Sequence, residues 1–158
     1  MAIYMLVEGI TGSSTDSEHK QWIPIKACDF PVKRPGINTV AGKVTDRLRT
    51  AVQFDDITVT KDQDVSSQPL MRWMVDGDAK LVTIAFCKEK GTEILRLTLE
   101  NTMISELKAG VSGDEQPSET ILLDFTKISM LYKSYDKNNK PVAGPGAVGF
   151  DLETATSF

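Results

Sequence analysis

Residues 80–107, KLVTIAFCKEKGTEILRLTLENTMISEL, decide the fold class. From Lys80 to Lys88 one parity carries Val82, Ile84 and Phe86 and the other carries Leu81, Thr83, Ala85 and Cys87. That is the period of two that a strand imposes on its side chains. Lys88 to Gly91 forms a charged turn, and from Glu93 to Leu107 the alternation resumes with Leu95, Leu97 and Leu99 on one face. Two alternating runs around a short turn predict a β-hairpin.

The rest of the chain extends this pattern in both directions. Ile3 to Glu8 is an apolar strand that runs into a polar loop, Thr11 to Lys20. Trp22 to Phe30 is apolar on both parities, so a strand with material on both sides is expected, and Pro24 places it at an edge or near a strand start. In Val52 to Lys61, Ile57 and Val59 alternate with Asp56, Thr58 and Thr60, while Phe54 falls off parity and predicts a bulge near Asp55. Thr120 to Tyr135 is the last long strand. Its apolar parity switches from Ile121, Leu123 and Phe125 to Ile128, Met130 and Tyr132, which predicts a second bulge near Thr126.

One helix stands out. Ser66-Ser67-Gln68-Pro69 supplies an N-cap serine and a first-turn proline, Leu70, Met71, Trp73 and Met74 follow at helical spacing, and Gly77 suits the left-handed residue that ends a helix. The stripe is expected to pack on the sheets. In the tail, Lys137-Asn138-Asn139-Lys140 forms a turn and Gly144-Pro145-Gly146 a connector, so residues 136–158 leave the core or add a short edge strand. Together these elements predict a mainly β protein, one domain over residues 1–158 with its core at about 3–135. The architecture is an antiparallel β-barrel of two packed sheets, one short flanking α-helix and an extended loop or hairpin at 31–52.

Composition narrows the function. The net charge is −4 and the 18 basic residues are scattered, so no cationic face for nucleic acid is expected. No apolar run approaches the ~18–20 residues of a membrane span, and Met1 to Gly9 has no basic n-region, so neither membrane insertion nor a cleavable signal peptide is expected. Cys28 and Cys87 are far apart in strand-like segments and read as buried free thiols. His19 is the sole histidine and sits among Asp16, Glu18 and Lys20. That spacing matches no metal cage and reads as a capped surface turn. Asp55 and Asp56 are adjacent on a strand and face opposite ways, and Gly144 to Gly149 lacks the Gly-Lys-Ser/Thr ending of a phosphate loop. No catalytic residue, metal ligand or cofactor is expected, and the chain does not read as an enzyme.

Four segments carry a family resemblance. Asp16-Ser17-Glu18-His19-Lys20-Gln21-Trp22 looks like a D-S-x-H-x-x-W loop opening the second strand. Phe54 to Lys61 runs into Asp64 and Ser66-Ser67; Gly91 to Leu99 leads to Ile104-Ser105; and Pro117-Ser118-Glu119 precedes Leu123 and a strand ending at Tyr132. In this order they resemble the haemolysin-coregulated (Hcp) tube proteins of type VI secretion, with the proline of Ser66-Ser67-Gln68-Pro69 one place later than is usual there. The resemblance implies a β-barrel whose copies close into rings of six, and rings that stack into a hollow conduit. It also implies sheath, spike and baseplate partners, effector proteins in the lumen, and export from the bacterial cytoplasm through the machine itself.

Pro31 to Val52 is long, basic and poor in large apolar residues, so it is not core and is expected to reach a neighbouring copy. Arg34, Asn38, Val40, Gly42, Lys43, Val44, Arg47 and Arg49 are the expected ring-stacking or subunit-interface residues. Two other readings share the strand pattern: a monomeric β-barrel that binds a carbohydrate or small ligand, and a related phage tail-tube protein.

Overall fold

The computed structural model describes residues 1–34 and 52–158. The expected hairpin is β7 (Lys80–Cys87) and β8 (Glu93–Gly110), antiparallel, with Ile84 opposite Leu97 and Val82 opposite Leu99. β8 is 18 residues long and belongs to two sheets. Its first half lies between β7 and β10 (Lys127–Tyr132), and its second half pairs with β9 (Ser118–Asp124). The register shifts between Ile104 and Glu106, and Asn101 just before takes a left-handed φ of 54°. An extra residue on one strand bends it and increases its twist, which is how a strand turns the corner from one sheet into the next.

A second corner lies near the N-terminus. The strand expected over 22–30 is two strands, β2 (Ile23–Ile25) and β3 (Ala27–Asp29), broken at Lys26. β2 pairs with β1 (Ala2–Val7), whereas β3 pairs with β6 (Ile57–Asp62) in the other sheet. The Lys26 N–H still reaches the Thr60 carbonyl at 2.8 Å. Apolar residues on both parities of this stretch thus record a strand that changes sheets. Since β6 pairs with β9 and β1 with β7, the path of paired strands β1, β2/β3, β6, β9, β8, β7 returns to β1. Pro24 is exposed on β2, an edge strand, as its missing N–H requires.

Inside, Met5, Ile57, Ile84, Leu97, Ile121 and Leu123 are essentially without exposure. The parity switch near Thr126 is a full break between β9 and β10, which lie in different sheets. The tail adds to the structure: β11 (Ser134–Tyr135) and β12 (Pro141–Val142) make a small hairpin, β13 (Val148–Asp151) pairs with β10, and β14 (Thr156–Ser157) forms the sheet edge.

The helix, α1, spans Ser67–Asp76 and ends at Gly77 with φ 71°. Two details differ from expectation. Ser66 stands at the N-cap, but its hydroxyl hydrogen-bonds Asp64 Oδ1 and caps no helix N–H. Of the apolar stripe only Leu70 and Trp73 are buried, because at 100° per residue Met74 and Met71 rotate progressively outward.

The inward parity of β6 continues past Ile57 and Val59 to Lys61, whose side chain is 0% exposed. Its ammonium donates to the Asp62 carbonyl (2.8 Å), Asp64 Oδ1 (3.0 Å) and Glu119 Oε2 (3.2 Å). Asp64 also accepts from the Ser13 hydroxyl and the Ser66 N–H, and its own N–H donates to Ser67 Oγ at 2.9 Å. Burial pushes the Asp64 carboxyl up, but hydrogen bonds from Ser66 and Lys61 outweigh it and leave the group below its ordinary value. A buried charge stripped of one partner costs about 3–5 kcal/mol, whereas apolar replacement of a pair is often near neutral. Glu119→Leu leaves Lys61 with Asp64 as its carboxylate partner and should lose up to about that much in urea denaturation. Adding Lys61→Met should restore part of it, since Asp64 then keeps only its hydrogen bonds from Ser13 and Ser66.

Candidate functional site

His19, expected on a solvated turn, is 2% exposed. The turn itself is capped as anticipated, since Asp16 Oδ1 accepts the N–H groups of Glu18 (3.1 Å) and His19 (3.0 Å). The same oxygen lies 2.9 Å from His19 Nδ1. The imidazole is drawn inward by aromatic packing: it stacks on Tyr4 at 4.8 Å and 8° and meets Trp22 edge-on at 4.9 Å. Its Nε2 faces Cys87 Sγ at 3.8 Å and Glu93 Oε2 at 3.7 Å. Arg96 grips Glu93 with two bonds of 2.8 and 2.7 Å, and Lys133 adds a third at 3.2 Å. Burial raises the Glu93 carboxyl, but Arg96 and Lys133 outweigh it and hold the group below the usual range.

Asp16, His19 and Cys87 stand in the order of an orienting acid, a base and a nucleophile. The thiol does not suit that role. Cys87 is fully buried, and burial, followed by the charges of Glu93 and Asp16, pushes it up to about 11. Nucleophilic cysteines instead carry depressed values in accessible, electropositive settings. What the cluster does is hold the loop before β2 against the outer face of the sheet. There Gly12 N–H reaches Gln21 O at 2.7 Å and Ser14 N–H reaches Trp22 O at 3.0 Å. Gly12 lies so close to the Trp22 carbonyl that no Cβ fits between them. Among the described residues no group of three or more His, Cys, Asp and Glu is placed to hold a metal ion.

The second region is the expected arm. β4 (Val32–Lys33) and β5 (Gln53–Phe54) pair antiparallel, Val32 opposite Phe54 and Lys33 opposite Gln53, so the two ends of the long segment are drawn together as a hairpin root. Lys33 Nζ reinforces it at 2.9 Å from Asp55 Oδ2. Of the eight expected interface residues, Arg34 is exposed just beyond β4. Asn38, Val40, Gly42, Lys43, Val44, Arg47 and Arg49 lie outside the described residues.

Beside the root opens an apolar cleft of about 630 Å³, with Val32, Arg34, Val52 and Phe54 on one wall and Ile128, Met130, Val148, Phe150 and Phe158 on the other. Phe54 stacks on Phe150 at 5.3 Å and meets Phe125 edge-on at 6.2 Å. Gly149 lies under the Phe158 ring and against the Ile128 carbonyl, too close for a Cβ, while Lys127 Nζ sits 4.9 Å over the same ring. Sequence reading missed this cleft, because one wall comes from the tail, where four-residue and two-residue strands carry almost no periodicity.

The four sequence segments meet in pairs. Asp16 to Trp22 joins Gly91 to Leu99 at His19 and Glu93, and the run from Phe54 to Ser67 joins Pro117 to Glu119 at Lys61. The family described as "Type VI secretion system effector, Hcp" matches residues 4–132. The chain belongs to this family. Among solved structures, a protein described as a type six secretion system protein superposes with a TM-score of 0.89 at 20% identity, covering 99% of both chains. Hcp1 from Salmonella typhimurium gives 0.79 at 18% identity, over 99% of this chain and 98% of its own. A type VI secretion system effector from Yersinia pestis gives 0.72 at 19%, over 94% and 98%. Comparison with curated proteins yields no match. At these identities the structures establish a shared fold, and the Hcp assignment itself rests on the family match.

Cys87 is buried as expected but Cys28 is only half-buried; desolvation, with the Asp29 charge, still pushes the Cys28 thiol up to about 12, so neither cysteine of this Hcp chain is ionised near neutral pH. Iodoacetamide at mildly alkaline pH should leave the native protein essentially unlabelled and should label both thiols in denaturant. Intact-mass measurement reads the difference, and rapid native labelling of Cys87 would contradict its placement.

Proposed function

We propose that this Hcp chain is the structural subunit of the type VI inner tube. Six copies close into a ring, rings stack into a hollow conduit, and the lumen carries effector proteins. The chain leaves the bacterial cytoplasm through the machine and meets its sheath, spike and baseplate components on the way. No bond chemistry is assigned to it, a reading supported by the enclosure of His19 and by thiols that are not ionised. Among the described residues no helix is long and apolar enough to cross a membrane.

The observation that carries the proposal, beyond the family match, is the hairpin root. The described ends of the long segment pair antiparallel, Val32 opposite Phe54, and so lie side by side. A long basic segment that is poor in large apolar residues and whose ends are held side by side suits contact with a second copy. Stacking through six such arms multiplies a weak contact, so rings join firmly where single chains do not.

Deletion of Gly36 to Arg49, with a short glycine linker, should leave circular dichroism and the thermal transition close to those of the full chain. Negative-stain images should then lose long tubes. Normal tubes from the deleted protein would contradict the role of the arm.

A further inference from the structure

We draw no further inference here: the strongest candidate, the edge of β8 from Met103 to Gly110, which pairs with β9 on one side and with no described strand on the other, carries nothing because nothing in the structure shows what covers it.

Discussion

One strand has to serve two sheets. β8 gives its first half to β7 and β10 and its second half to β9, and the shift at Ile104 to Glu106 lets it turn between them. Backbone N–H and C=O groups must find partners on both sides of that corner, so the positions of β9 and β10 follow from where β8 bends. Their connection at Phe125 and Thr126 must then cross from one sheet to the other. Lys26 imposes the same condition at the opposite corner, between β2 and β3. With these two strands bent, the sheets face each other and enclose the cluster around Met5, Ile84, Leu97 and Ile121.

Two polar junctions fasten the loops to this frame. Lys61 ties β6, β9, the start of α1 and the first loop together through Asp64 and Glu119. His19 ties that first loop to β1, β7 and β8 through Tyr4, Cys87 and Glu93. Both use ionisable groups in low-exposure settings, which is costly unless every partner is present. Their role is placement. The four motif segments of the sequence are the parts of these junctions, which gives that resemblance a physical content: residues far apart in the chain share a buried charge or ring.

Much of the fold was legible because long strands declare their parity. Val82, Ile84 and Phe86 marked β7, while the parity changes at Asp55 and Thr126, expected as bulges, are full breaks between strands. The bend at Lys26 was not read, since apolar residues on both parities look the same for a sandwiched strand and for one that changes sheets. Burial of His19 was missed for a related reason. A polar loop reads as solvated until Tyr4 and Trp22 are known to lie on either side of the ring. Lys61 lay on the inward parity in plain view, but a lysine there makes sense only with Asp64 and Glu119, and the latter arrives 58 residues later. The cleft was invisible because short tail strands form half of it.

The assembly account rests on the family match and on the pairing of Val32–Lys33 with Gln53–Phe54, which holds the two ends of a long basic segment side by side. Heterologous contacts between identical copies close on themselves or run on without limit, and a ring is the closed solution. Native mass spectrometry of the purified, undisturbed protein tests that most directly. The account predicts a dominant species of six times the 17.4 kDa chain mass, growing into higher multiples of the ring as concentration rises. A single 17.4 kDa species across the whole concentration range would contradict it.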